Sequence, residues 1–107
     1  MSLLEKLAPL VPKKIQARGR EYYHAGTVRI LGSNPGRIVA LVRGTVEYSV
    51  AIECEKDCLI YSCTCPYYTD QANPCKHIWA TLLQASSRGL LLDWEGREVF
   101  DLIPKDD

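Results

Sequence analysis

The first part of the chain has apolar positions at helical spacing. Leucines recur at intervals of three and four between residues 1 and 10, which predicts a short helix there. A second helix is predicted from Lys13 to Ala25, with apolar side chains on one stripe and charged side chains on the opposite one. Gly19 lies on the apolar stripe, where it would let a neighbouring element approach closely, and Gly26 ends the helix.

Strand patterns follow the second helix. The predicted strands are Val28 to Leu31, Arg37 to Arg43, Val46 to Cys54 and Leu59 to Cys65. Between the second and third strands, Gly44-Thr45 predicts a two-residue hairpin turn. That turn would oppose Leu41 with Tyr48 and Val39 with Val50, so that both strands place apolar side chains on one face.

The last of these strands carries two cysteines to the core face of the sheet. A hairpin closed over residues 55–58 opposes Ile52 with Tyr61 and Val50 with Cys63. Cys65 then lies on the same face as Cys63, because side chains alternate along a strand. A further helix, predicted from Lys76 onward, would pack its apolar stripe on this face.

The C-terminal region has two possible interpretations. Leu90 to Leu92 is an apolar run that predicts either a short strand or a docking segment. Residues 93–107 are acidic and rich in turn formers. They are expected to be a tail that packs back on the domain or the start of a linker to further domains.

Four side chains that commonly bind metals lie close together in the sequence. Cys63 and Cys65 form a Cys-x-Cys pair, and Cys75 and His77 form a Cys-x-His pair after a nine-residue loop. Residues two apart on a helix do not face each other, so Cys75 is expected in a turn before the helix and His77 in its first turn. Three thiolates and one imidazole complete a tetrahedral structural site, which predicts one zinc ion and no open coordination position.

Disulfides and other metal ligands are the alternative interpretations of these residue types. Five cysteines could form disulfides, but the odd number, the lack of a secretory signal and the Cys-x-Cys pair favour a reducing, cytoplasmic setting. His24 is the alternative ligand to His77, and Cys54 and Cys58 are expected to be ordinary thiols outside the tetrahedron. No apolar run reaches membrane-spanning length, so no membrane partner is expected.

The elements together predict an α+β fold. We expect a small zinc-stabilised domain with an antiparallel three- to four-stranded β-meander, an N-terminal helix and a C-terminal helix after the zinc ligands. The chain has 107 residues, which predicts a single domain over 1–107. Within it, 13–36 would hold the N-terminal helix and a short strand, 37–87 the meander, zinc finger and helix, and 88–107 the acidic tail or linker.

The zero net charge hides an asymmetry between the two halves of the chain. Residues 1–53 contain eight Lys or Arg and four Asp or Glu, whereas residues 54–107 contain five and nine. A basic surface of this kind is either a solvated face or a contact surface for nucleic acid.

The two ligand pairs followed by an apolar helix resemble the SWIM zinc finger, whose signature is Cys-x-Cys, a variable loop and Cys-x-His. Upstream, Arg18-Gly19-x-x-Tyr22 and Gly44-Thr45-x-x-Tyr48-x-Val50 resemble the segment that precedes the finger in bacterial SWIM proteins. The resemblance covers residues 17–85. It implies that Cys63, Cys65, Cys75 and His77 bind zinc in a module for DNA or protein partners, found among others in Swi/Snf-type ATPases.

Two functions follow as hypotheses. The first is nucleic-acid binding, with DNA as the expected partner. Its candidate residues are Lys13, Lys14, Arg18, Arg20, Arg29, Arg37 and Arg43. The second is a protein-interaction or regulatory module without nucleic-acid contact, for which a Swi/Snf-type ATPase in the same or another chain is a possible partner.

An enzyme is the least favoured class. Cys75 and His77 could suggest a nucleophile and its base, but two further thiols nearby make metal ligation the better interpretation. Four protein ligands also leave no position for a catalytic water. No small-molecule substrate is expected.

Overall fold

A computed structural model describes residues 3–34, 36–55, 58–71, 73–95 and 101–105. The helices are α1 (Leu3–Leu7), α2 (Lys13–His24), α3 (Pro66–Gln71), α4 (Lys76–Ser87) and α5 (Leu92–Glu95), and a 3-10 turn spans Ala8–Leu10. The strands are β1 (Val28–Asn34), β2 (Arg37–Arg43), β3 (Glu47–Cys54), β4 (Cys58–Cys63) and β5 (Asp101–Pro104). They form one sheet in sequence order, antiparallel from β1 to β4 with β5 parallel to β4.

Helix α4 lies at the centre of the fold. It packs against strands β1 to β4, and α2 packs against it. Ile78, Leu82 and Ala85 are each at most 1 % exposed, as expected for the predicted apolar stripe. At the crossing with α2, Gly19 is buried, and a Cβ atom there would lie 2.8 Å from Trp79 Cδ1. The close approach predicted for Gly19 is therefore confirmed.

The predicted register of the β2–β3 hairpin is wrong by one residue. Arg43 pairs with Glu47, so three residues form the turn, and Gly44 N–H donates to the Val46 carbonyl. Tyr48 consequently faces Val42 in place of Leu41. Because a shift of one residue moves a strand to its other face, β2 buries Ile38, Ala40 and Val42. Val39 and Leu41 lie on the face away from the helices.

The other strand pairs agree better with the pairing predicted from the sequence. Val50 pairs with Cys63 and Ile52 with Tyr61, as predicted. Strand β1 runs beyond its predicted end at Leu31 to Asn34, because a bulge between Ile30 and Gly32 lets pairing with β2 continue.

The C-terminal region packs against the domain in the described part of the chain. Leu90 to Leu92 forms no strand there; it leads into α5, whose Trp94 is fully buried. Strand β5 then pairs with β4 and extends the predicted meander by a parallel edge strand. The α+β class, the meander, the N-terminal helix and the helix after the ligand cluster are confirmed.

The described helices are short. The two longest, α2 and α4, have 12 residues each. None of the described helices has the length and apolar character needed to cross a membrane.

Candidate metal centre

Strand β4 positions the first ligand pair. Cys63 is its last residue and is held opposite Val50 of β3. Thr64 continues this attachment: its N–H donates to the Ser49 carbonyl at 3.1 Å, and its Oγ1 accepts from Ser49 N–H at 3.0 Å. Cys65 therefore leaves the sheet in a defined direction, and it is 2 % exposed.

The start of α4 positions the second pair. Cys75 precedes the helix with extended backbone angles (φ −103°, ψ 170°), and His77 lies in the first turn. The Cys75 carbonyl accepts from Trp79 N–H at 3.2 Å. This agrees with the predicted placement, because an extended residue before a helix can direct its side chain to the same point as a residue in the first turn.

The four side chains meet at one point. The Sγ atoms of Cys63, Cys65 and Cys75 and a ring nitrogen of His77 all lie within 4.8 Å of one another, and all four residues are buried. His77 Nδ1 lies 3.8 Å from Cys63 Sγ and 3.8 Å from Cys75 Sγ. Tetrahedral zinc with ordinary bond lengths spaces its sulfur and nitrogen ligands by about 3.6 Å. The donor set and its spacing therefore fit one zinc ion.

The thiols influence each other's protonation. A hydrogen bond from Cys63 lowers the pKa of Cys75 to about 4, and the same hydrogen bond, together with burial, raises the pKa of Cys63 well above its usual range. Burial also raises the pKa of Cys65. Without a metal the cluster thus favours one thiolate that accepts a hydrogen bond from a thiol. A zinc ion would replace the remaining protons, because thiolates are its ligands.

Two tyrosines enclose the imidazole of His77. The Tyr48 ring lies 4.5 Å away at 32°, and the Tyr22 ring lies edge-on at 5.2 Å. Gly44 leaves room for this arrangement, since a Cβ there would lie 3.0 Å from Tyr48 Cε2. With Nδ1 directed at the sulfurs, His77 Nε2 is buried and has no hydrogen-bond partner in the described structure. The aromatic rings, rather than a carboxylate, therefore fix the orientation of this ligand.

The alternative ligands lie outside the cluster. His24 is exposed at the end of α2, and the group that could hold a metal contains His77 instead. Cys54 ends β3 and Cys58 begins β4, at the opposite end of these strands from Cys63. Neither is among the four residues brought together.

The predicted basic residues separate into two groups. Those on α2 are exposed and comprise Lys13, Lys14, Arg18 and Arg20. Arg29, Arg37 and Arg43 lie on the strands, and Arg37 pairs with Glu53 at 3.5 Å. The structure therefore does not gather all seven on a single surface.

A cavity of about 480 Å³ adjoins the metal centre. Lys14 and Arg18 of α2 and Lys76 of α4 line it, together with the ligands Cys65, Cys75 and His77. Lys76 Nζ also lies 5.2 Å from the Tyr22 ring centroid, a cation–π distance.

Sequence reasoning assigned no site role to three polar residues that line this cavity. They are Lys76, Tyr48 and Tyr67. For Lys76, its position between the ligands Cys75 and His77 in the sequence indicated that it would lie near the metal. Tyr67 gave no such indication, since the nine-residue loop has no periodicity that predicts α3.

Comparison with known proteins agrees with the ligand pattern. The family model of the SWIM zinc finger matches residues 49–86, a span that runs from β3 into the last turn of α4 and includes both ligand pairs. Neither a curated protein nor a solved structure matches the chain. The resemblance inferred from the ligand signature is thus confirmed over this span. The upstream resemblance lies outside it.

Proposed function

We propose that this SWIM-type zinc module binds nucleic acid through phosphate contacts made by α2 and the start of α4. One observation carries the proposal. Lys14, Arg18 and Lys76 come from two different helices and line the same cavity, and none of the described residues that line it is acidic. Cations gathered in this way attract a polyanion more strongly than the same charges scattered over a surface.

Two further exposed cations add to the positive charge of α2. Lys13 and Arg20 line a shallow groove on the other side of the helix, together with Glu5. We refer to the five cations Lys13, Lys14, Arg18, Arg20 and Lys76 as the α2 surface. Such a surface offers several phosphate contacts and little base-specific recognition.

The charge of the metal centre is compatible with this role. A zinc ion with three thiolates carries a net charge of −1, since the ion supplies two positive charges against three negative ones. The three cations that line the adjoining cavity exceed this charge. A phosphate near the cavity therefore meets a net positive environment.

Binding of labelled duplex DNA to the zinc-loaded chain tests the proposal. We expect affinity to fall steeply between about 50 and 200 mM salt, because each phosphate contact releases counterions. Replacing Arg18 by Ala should weaken binding and reduce the slope of log K against log salt by about 1.

The matched control is Arg37→Ala. This arginine is paired with Glu53 on the sheet, so its removal should change neither affinity nor slope. No binding at the lowest salt, or equal loss in the control, would contradict the proposal.

Protein interaction is the second candidate function, and a different surface favours it. The sheet face away from the helices carries Val39, Leu41, Ala51 and Ile60, all half-buried, and Ile103, which is 39 % exposed. A partner protein could cover these side chains, and the Swi/Snf-type ATPase implied by the resemblance is the first to test. Capture of that ATPase by the wild-type chain and its loss in Leu41→Glu, with zinc content and fold unchanged, would support this function.

We propose no catalytic role for the centre. Its four protein ligands match the closed coordination of a structural zinc site. Hydrolytic activity that is lost in Cys75→Ser, while the variant remains folded, would contradict this.

A further inference from the structure

The outer and inner walls of the cavity beside the metal centre differ in charge and in exposure to solvent. Lys14 and Arg18 are exposed and Lys76 is half-buried, whereas Cys65 and Cys75 on the inner wall are at most 2 % exposed. The positive charges therefore lie nearer to solvent, and sulfur atoms lie deeper. A phosphate suits the outer part, while N–H groups of a ligand suit the inner wall, because sulfur accepts hydrogen bonds.

Aromatic and other apolar side chains complete the cavity. Tyr48 and Tyr67 line it, along with Pro12, Ile15 and Pro66. Tyr48 contacts His77 on one side, while Tyr67 is 37 % exposed on the short helix α3. An exposed tyrosine beside cations is typical of surfaces on which nucleic-acid bases stack.

We infer that this cavity takes one unpaired nucleotide of a nucleic-acid strand. Its base would stack on Tyr67 with an edge toward the sulfur wall, and its phosphate would be bound by Lys14, Arg18 and Lys76. The inference rests on the proposed function and adds to it a preference for single strands over duplexes.

Volume and accessibility support a single strand. A cavity of about 480 Å³ is of the size that encloses one small ligand. In a duplex the faces of the bases are stacked on their neighbours and cannot reach an aromatic side chain, whereas an unpaired base presents its face freely. A duplex could meet only the outer cations.

The cations could instead serve the metal alone, by offsetting the negative charge of the thiolates. In that case Lys14→Ala would weaken zinc binding, and any loss of nucleic-acid binding would follow the loss of metal. Under our inference, Lys14→Ala keeps its zinc and still binds single strands more weakly. Zinc affinity and strand affinity, measured on the same variants, therefore separate the two roles.

The test uses the zinc-loaded full chain and labelled oligonucleotides of about 12 nucleotides, a length within the range of known single-strand sites. DNA and RNA strands of one sequence are compared with the matching DNA duplex by fluorescence anisotropy. We expect at least one of the two strands to bind more tightly than the duplex by about tenfold or more. The comparison of the strands shows which sugar the site prefers.

Tyr67→Ala is the decisive variant. We expect it to weaken strand binding by about 5- to 150-fold, the range measured for loss of one stacking aromatic residue, with duplex binding unchanged. Val46→Ala is the control, because Val46 is 59 % exposed and lies outside the cavity. A fluorescent base analogue in the strand should be quenched by the wild-type chain and less so by Tyr67→Ala.

The possible failures are distinguishable. Equal affinity for strand and duplex, together with no effect of Tyr67→Ala, would overturn the nucleotide site and leave the proposed function intact. No binding to any of the three probes at low salt would overturn both. Loss of strand binding in Lys14→Ala only in proportion to lost zinc would also overturn the site.

Discussion

Two separate parts of the chain meet at His77. Tyr22 of α2 and Tyr48 of β3 enclose the imidazole, and Gly44, in the turn before β3, leaves room for Tyr48. The segments upstream of the ligand signature thus have a physical link to it. They hold in place the one ligand that is not a cysteine, since side chains that contact a metal-bound imidazole orient its ring.

The metal ligands are tested by single substitutions. We expect the wild-type chain to bind one zinc ion, and Cys63→Ser and His77→Ala to lose both zinc and stable folding, because three ligands rarely hold structural zinc. Metal analysis after gel filtration, together with circular dichroism, measures this. The matched controls Cys54→Ser and His24→Ala should retain zinc, and full retention in Cys63→Ser or His77→Ala would contradict the assignment.

The pH dependence of stability has a contribution from Tyr61. Burial is the main cause that raises the pKa of its phenol from 10.0 to about 12. Between these pH values the folded chain keeps a proton that the unfolded chain releases, so the free energy of unfolding falls as the pH rises through this window. Urea unfolding at several pH values should show a steeper fall for wild type than for Tyr61→Phe. Equal slopes would show that Tyr61 does not contribute.

At the scale of elements, one turn and one helix crossing determine how the sheet and the two long helices pack together. The three-residue turn after β2 sets which face of that strand joins the core, and the α2–α4 crossing sets how closely the basic helix approaches the finger. Both depend on a glycine. Gly44 leaves room for Tyr48, and Gly19 leaves room for Trp79.

Gly19→Ala tests the helix crossing. In an exposed helix the change would stabilise by about 1 kcal/mol, because alanine has the higher helix propensity. Here the added Cβ would lie 2.8 Å from Trp79 Cδ1 and 3.0 Å from the Lys76 carbonyl oxygen, so we expect a net loss of about 1–3 kcal/mol. Urea unfolding of the zinc-loaded protein measures it.

Gly32→Ala is the control for that experiment. Among the described residues, no heavy atom other than those of its chain neighbours lies within 4 Å of a Cβ at this position, so stability should change by no more than about 0.5 kcal/mol. A stabilised Gly19→Ala variant would show that the helices can move apart without cost.

At the scale of the whole molecule, the metal centre joins the sheet to the central helix. Cys63 belongs to the sheet and His77 to α4, the helix on which α2 packs. A bound zinc ion would therefore link the sheet, the central helix and, through Tyr22, the basic helix. The cavity proposed as the nucleotide site has walls from the same elements.

Removal of zinc tests this linkage. Metal binding contributes on the order of 10 kcal/mol or more to the folding of small zinc domains, comparable with the net stability of a whole domain. We expect chelation to cause cooperative loss of helical circular dichroism and of the thermal transition. Zinc, but not magnesium, should restore both. Retention of the native transition after complete chelation would show that the core is sufficient without the metal.

Local patterns in the sequence determined much of the fold and the centre of the site. The helix from Lys13, the helix from Lys76 and the pairing of β3 with β4 follow from periodicity, which reflects nearest neighbours along a helix or strand. The four ligands follow from spacing alone, because two closely spaced pairs on adjoining elements can share one metal ion.

Only the tertiary structure decided the features that depend on long-range packing. The register at Arg43 and Glu47 depends on which faces of two strands the helices cover, and the parallel pairing of β5 depends on a free edge of β4. The cavity likewise could not be predicted from the sequence. Lys14 of α2 and Tyr67 of α3 line the same cavity, and no local pattern encodes the distance between elements that the four strands β1 to β4 separate in the sequence.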